Sequence, residues 1–308
     1  MSAKTINWMD ERSILHCITC GAQIIDSGTY CTACETPIQV SRSVSNRDTP
    51  ARLISVLGAS GAGKTVYLGM LLDMLNKGAG GLRGLPNGAF SLGVQEQTIT
   101  ALENRRFPEK TPSEADHWQW VHCETFDEKA PKRKIDLITP DLAGEALALE
   151  LEKSNTFPTI RTMLRNVQGV VILFDSERVR QAPRSEDIFG VKLVSYLADV
   201  NVRPQKERRK KIRLPISFVF TKADACKDAE DDPHHFAKTH LPGLMQFCDR
   251  RFELFDFFAA SVVGGSTALT DAYGAQIQVP LHVQPRCIVE PLHWVMRQMD
   301  KKIWKGHR

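Results

Sequence analysis

Short apolar runs recur along this chain at intervals that suit buried strands alternating with helices. Leu53–Leu57, Lys134–Thr139, Val170–Phe174, Ile216–Phe220 and Phe257–Ala260 are five or so residues each, bounded by Gly, Pro, Asp or Lys. Runs of that length predict strands buried on both faces of a sheet. Trp118–Phe126 followed by Lys134–Thr139 predicts a β-hairpin. Helical spacing appears over Val66–Leu75, over Asp187–Val200 and in a closing segment, Val289–Trp304. In that last segment Leu292, Val295, Met296, Met299 and Ile303 form one stripe, which predicts a helix docked on the sheet. The alternation as a whole predicts an α/β fold with a mostly parallel sheet and helices on both faces.

The breaks give the organisation. Residues 1–40 hold two cysteine pairs, 41–50 are polar enough to read as a linker, and 51–308 carry the strand and helix alternation. Gly78–Gly88 has five glycines and reads as a mobile stretch near the mouth of a site. Lys206–Arg213 is a basic run, read as a solvated loop or a contact for an acidic partner, a membrane surface or nucleic acid. Trp118 and Trp120 alternate at the hairpin edge, to pack or to meet a partner.

Composition changes this picture little. At 308 residues and 42% hydrophobic the chain can bury a full core, and a net charge of +4 is too mild to imply nucleic acid by itself. No apolar stretch nears the length of a membrane span, and Met1–Asp10 lacks the basic start and apolar middle of a secretory signal. The cytoplasm is the expected compartment.

Chemistry enters at the end of the first strand. Gly58-Ala59-Ser60-Gly61-Ala62-Gly63-Lys64-Thr65 is a complete GxxxxGK[ST] loop, followed by Val66 and a helix. Gly58 and Gly63 allow backbone turns that aim successive N–H groups inward at phosphates. The helix N-terminus adds positive character, Lys64 a point charge between β- and γ-phosphates, and the Thr65 hydroxyl a ligand for Mg²⁺.

Two tetrapeptides at later strand ends extend the site. Asp141-Leu142-Ala143-Gly144 suits a metal and γ-phosphate sensor: Asp141 would hold Mg²⁺ through water, and the Gly144 N–H would meet the γ-phosphate. Thr221-Lys222-Ala223-Asp224 suits a guanine reader, because a carboxylate accepts from the paired N1–H and N2–H₂ donors that adenine lacks. The Lys222 stem can lie along the base plane. Ala260 and Ser261 end a further strand and are the residues expected to close over the base. The ligand expected is therefore GTP or GDP rather than nucleotide in general.

Cys17-Ile-Thr-Cys20 and Cys31-Thr-Ala-Cys34 supply four thiolates on two tight turns, the donor set of a closed, structural Zn²⁺ site. Two disulfides are the alternative, disfavoured by the nucleotide-binding character of the remainder. Cys123, Cys226, Cys248 and Cys287 stand apart and read as buried thiols, and His16 as a solvated neighbour of the first pair.

In this order the loop, the sensor and the reader resemble the translation-factor-related, Ras-like class of P-loop GTPases over roughly residues 51–300. The resemblance implies a switch threonine that binds Mg²⁺ between the loop and the sensor. Thr111 is the candidate, with Thr98, Thr100 and Thr125 as competitors. It also implies a water-positioning glutamine after Gly144, where this chain has Glu145. Lys64, Thr111, Gly144 and Glu145 thus form the expected catalytic set, with slow turnover. Ser60 stands where many relatives carry glycine, which would crowd an inserted arginine. A cysteine ribbon ahead of a G domain is similar to the bacterial double-GTPase proteins, which implies a second GTPase or an effector as partner in a conflict or defence system.

The expected activity is a GTP-binding switch that slowly hydrolyses GTP. A GTP sensor without hydrolysis, and a nucleic-acid-associated GTPase gripping through the ribbon and the basic run, are the alternatives.

Overall fold

The computed structural model describes residues 15–24, 28–45, 52–108, 120–132, 134–141, 144–201, 211–270, 274 and 276–299. Seven strands form the main sheet: β1 Leu53–Gly58, β2 Leu82–Asn87, β3 Trp120–Asp127, β4 Lys134–Pro140, β5 Gly169–Asp175, β6 Ile216–Thr221 and β7 Phe255–Ala259. Their order is β2-β3-β4-β1-β5-β6-β7. Strands β4, β1, β5, β6 and β7 run parallel, while β2 and β3 are antiparallel additions at one edge. A separate hairpin, β8 Ser261–Thr270 and β9 Gln276–Arg286, follows β7.

The central strands are buried on both faces, and alternate residues feed two cores. Leu53 and Leu57 of β1, with Val170, Ile172 and Phe174 of β5, pack into one. Ile54 and Val56, with Val171 and Leu173, pack into the other. The period-2 alternation of a strand thus builds two apolar layers from continuous apolar runs. Helices α4 Gly144–Glu152, α5 Pro158–Asn166 and α7 Pro183–Val200 cover the first face, with α9 Pro233–His240 and α10 Pro242–Arg251. Helices α2 Lys64–Asn76, α3 Gly88–Glu103 and α11 Glu290–Met299 cover the second. Two short helices, α6 Ser176–Gln181 and α8 Lys227–Asp231, follow β5 and β6. In α11, Leu292, Val295 and Met296 are buried on the sheet, as the stripe predicts; Ile303 lies outside the described residues. Among those residues no helix is long and apolar enough to cross a membrane.

Two segments differ from their sequence reading, and a third is settled between its alternatives. Gly78–Gly88 is not a mobile stretch: it holds a short 3-10 turn and edge strand β2, paired along its length with β3. Gly84 serves close packing, since a Cβ there would sit 2.7 Å from that of Leu75, while Gly78, Gly80, Gly81 and Gly88 take left-handed backbone. Residues 41–45, expected as linker, belong to helix α1 Ile38–Ser45. Its Val40 enters the first core, and its Ser43 hydroxyl lies 3.1 Å from His122 Nδ1. Trp120 is packed into the first core rather than displayed; Trp118 lies outside the described residues. Of the basic run, only 211–213 is described: Ile212 bridges to Phe252, and Arg213 pairs with Glu253 at 3.4 Å.

The cysteine segment forms two similar turns. Cys17 O accepts from Gly21 N and Cys31 O from Glu35 N, each at 2.8 Å, with Gly21 and Glu35 left-handed. These turns sit directly on the α/β body. Thr159 Oγ1 donates to Cys34 O at 2.8 Å, Asn166 Nδ2 to Thr19 O at 2.6 Å, and Ile18 N to Ser41 Oγ at 3.1 Å.

Candidate functional site

Five loops leave the carboxyl ends of β1, β4, β5, β6 and β7, where ligands sit in open α/β sheets. They carry the chemistry that the sequence singled out. A cavity of about 690 Å³ lies among them, lined by Gly58 to Tyr67, Gly144, Glu145, Thr221, Lys222, Asp224 and Ala260. The fold therefore brings loop, sensor and reader, far apart in sequence, to one place.

The phosphate loop turns through left-handed residues at Gly61 and Gly63, and Gly63 sets the start of α2, so Lys64 and Thr65 open that helix. Lys64 Nζ lies 3.4 Å from Asp141 Oδ1, both side chains nearly buried. Burial pulls the Lys64 ammonium from its usual 10.5 down to about 8, with the Asp141 carboxylate opposing that shift. Leu142 and Ala143 lie outside the described residues.

Gly144 is packed on the loop so closely that a Cβ there would meet Ser60 N at 2.0 Å and Ala59 C at 2.4 Å. Backbone cannot yield as a flexible side chain can. Gly144→Ala is therefore expected to push the start of α4 off the loop and lower stability by about 1–3 kcal/mol, the range for an overpacked site. Equilibrium urea unfolding measures it, and an unchanged midpoint would refute the contact.

Ser60 joins three elements. Its hydroxyl donates to Glu145 Oε1 at 2.5 Å, and its carbonyl accepts from Arg178 Nη1 at 2.5 Å. Arg178 also pairs with Glu186 at 2.8 Å. Glu145 thus leans on the loop, and the arginine of α6 braces the loop from outside. Sequence reading did not find Arg178; no spacing links it to residue 60.

The reader turns sharply. Lys222 is left-handed at φ 55°, and its Nζ lies 2.6 Å from Asp175 Oδ2. Asp175 also caps α6 by accepting from Glu177 N and Arg178 N. The Thr221 hydroxyl, 2.8 Å from Ala62 O and 3.0 Å from Phe174 O, ties the reader to the phosphate loop. Ser261 donates to Asp224 Oδ1 at 2.7 Å and also reaches Val263 O. Its part is to hold the Asp224 carboxylate; it does not line the cavity, whereas Ala260 does.

Thr111 lies outside the described residues. Among its competitors, Thr98 is buried in α3 against Gly69, and Thr125 donates to Ile135 O within the sheet. Thr100 faces a separate groove with Glu96 and Asn104. None of these three lines the cavity. Residues unforeseen from sequence do: Phe107, Pro108, Glu177, and Ser266, Thr267, Ala268 and Gln278 of the β8–β9 hairpin.

The sulfurs of Cys17, Cys20, Cys31 and Cys34 lie within 4.8 Å of one another. Cys17 and Cys34 are 3.6 Å apart, as are Cys20 and Cys31. Four sulfurs about 2.3 Å from a tetrahedral zinc ion would stand about 3.8 Å apart, so the donor set fits zinc. The Cys34 thiol, hydrogen-bonded to Cys17, holds the Cys17 thiol down at about 4, while burial pushes Cys20 up to about 11. All eight cysteines are free thiols; Cys123, Cys226 and Cys248 are buried and Cys287 half-buried. His16 turns its Nδ1 to Gly21 O, away from the cluster.

Residues 55–188 match the family described as double-GTPase 1. Over that stretch the chain is similar to the double-GTPases. Among solved structures, a nucleolar GTP-binding protein 1 of Plasmodium falciparum superposes with a TM-score of 0.40 at 13% identity, over 84% of this chain and 91% of that one. The GTPase-like domain of S. cerevisiae Ski7, bound to GDP and inorganic phosphate, gives 0.44 at 17% identity. There the match covers 81% of this chain and 50% of the other. Methanosarcina barkeri Roco2, as a RocCORdC fragment bound to GDP, gives 0.33 at 13%, over 70% of this chain and 44% of that one. The chain thus spans half or less of the last two. No curated protein matches it.

Proposed function

We propose that this chain is a GTPase and a molecular switch that binds GTP, hydrolyses it slowly to GDP with Mg²⁺, and controls a partner protein in the cytoplasm. One observation carries the reading: phosphate loop, Gly144–Glu145 and Thr221–Lys222–Asp224 line a single cavity. The loop amides and Lys64 would take the phosphates, and Asp224, steadied by Ser261, the guanine edge. The Thr65 hydroxyl and the Asp141 carboxylate are hard oxygen donors of the kind Mg²⁺ takes, with Thr111 a further candidate. The ion would supply charge neutralisation on the transferring phosphoryl group. Zinc in the four-cysteine site would be structural, with no open coordination position.

Slow turnover follows from Glu145. Held by the Ser60 hydroxyl, its carboxylate stands against the phosphate loop, where it adds negative charge near a triphosphate. The same contact favours a second reading, a GTP sensor that signals by occupancy; single-turnover assays separate the two. Similarity to the double-GTPases supports a second GTPase or an effector, in a conflict or defence system, as the partner. Docking of the ribbon on α5 leaves less of it for gripping nucleic acid.

Calorimetry with GDP, a non-hydrolysable GTP analogue and its adenine counterpart tests base choice. Guanine nucleotides are expected to bind and adenine nucleotides not. Asp224→Asn should weaken GDP about 30-fold, the loss of one charge-assisted hydrogen bond of about 2 kcal/mol. Equal affinity for both bases would overturn the assignment.

A further inference from the structure

Hairpin β8–β9 stands between the turn at Ala260 and helix α11, beside the reader. Its register sets Ser266 opposite Pro280 and Ala268 opposite Gln278. Directly opposed residues, and residues two apart on a strand, share a face, so Ser266, Ala268 and Gln278 lie together. All three line the nucleotide cavity, with Thr267 at the hairpin's margin and Val262 and Val263 at its base. Leu269 and Ile277, opposed to each other on the other face, are exposed. Register breaks between Ser261 and Ser266 mark bulges, which bend a strand and re-aim its side chains. None of the hairpin residues that line the cavity is Asp, Glu, Lys or Arg; Arg286, at the end of β9, pairs instead with Glu230 at 2.6 Å.

A guanosine nucleotide presents three kinds of polar group. Its phosphates suit Lys64 and the loop amides, and its base edge suits Asp224. What remains is the pair of ribose hydroxyls, neutral groups that both donate and accept. Ser266 and Gln278 offer neutral groups that both donate and accept, on the wall where the hairpin meets the cavity. A charge there would favour phosphate instead, and the hairpin brings none to the cavity wall. We propose that β8–β9 is a ribose-recognition element in which Ser266 and Gln278 hydrogen-bond the 2′- and 3′-hydroxyls, with Ala268 between them leaving room for the sugar. The inference rests on the guanine-nucleotide reading above and assigns the hairpin to that same site.

The test compares GDP with 2′,3′-dideoxy-GDP, both with Mg²⁺, on the full chain by calorimetry. Wild type should prefer GDP by about tenfold, since each neutral hydrogen bond is worth about three- to tenfold in affinity. Ser266→Ala with Gln278→Ala should bind GDP as weakly as wild type binds the dideoxy nucleotide, with dideoxy affinity unchanged. Both side chains are exposed, so the unfolding midpoint should not move. Equal affinity of wild type for the two nucleotides, or discrimination that survives in the double variant, overturns ribose recognition alone. Binding of neither nucleotide to wild type overturns the guanine reading and the hairpin's role with it.

Discussion

Lys64→Ala is expected to reduce kcat/KM in the proposed GTP hydrolysis by about 10³, the scale of removing a preorganised charge aimed at the reacting phosphate. The lysine is almost fully buried, 3.4 Å from Asp141, so no solvent cation can replace it. Its lowered pKa gives the prediction a second readout. Burial holds the free protein's Lys64 at about 8, and a polyphosphate beside it stabilises the ammonium and raises that value. Below pH about 7 the lysine is charged with or without nucleotide, and affinity is independent of its titration. Above pH about 8 the free lysine is increasingly neutral and must take up a proton on binding, so affinity falls as pH rises. Calorimetry at about pH 7 and about pH 9, in buffers of different ionisation enthalpy, should show proton uptake only at the higher pH. Lys64→Ala should abolish it. Uptake that persists in the variant would assign the proton to another group.

Cys34→Ser should strip zinc from the N-terminal site and unfold the two cysteine turns while leaving the α/β body intact. The expected scale is large, because binding of a structural zinc ion, about 10–16 kcal/mol at neutral pH, is also the folding energy of a segment too small for a core of its own. Here that core is Cys17, Cys31 and Cys34 with Cys20, Ala22 and Ile24 packed around them, separate from the two cores of the sheet. Metal analysis should find about one zinc per wild-type chain and none in the variant. Hydrogen exchange should rise over residues 15–37 and around Thr159 and Asn166, which bond to Cys34 O and Thr19 O. Protection of β1 and β5 should not change. Loss of structure throughout the chain would instead make the ribbon part of the folding core.

Much of this protein is local in origin and therefore legible in sequence. A phosphate loop needs consecutive residues of fixed type, and residues 58–65 spell it; strands buried on both faces must be continuous apolar runs, and β1, β5 and β6 are. Cysteines with two residues between them can meet one metal ion through a single tight turn. The small-residue strand end at 257–261 was legible too, though Ser261 works through Asp224 rather than at the cavity.

What the sequence could not declare depends on chain segments meeting across the fold. Residues 78–88 look loose because glycine raises backbone entropy. Contact with Leu75 requires Gly84, and left-handed turns at Gly78, Gly80, Gly81 and Gly88 use the freedom of the others. A polar stretch reads as linker until Ser41 and Val44 are buried and Ser43 finds His122. Arg178 meets Ser60 across 118 positions of sequence, and the hairpin reaches the cavity only because β7 ends beside β6. Sequence alone determined the chemical groups and the periodicities that each element obeys over a few residues. Tertiary structure decided which of those groups share a cavity, because long-range contact is fixed by how the faces of a sheet are covered, and no local pattern records that.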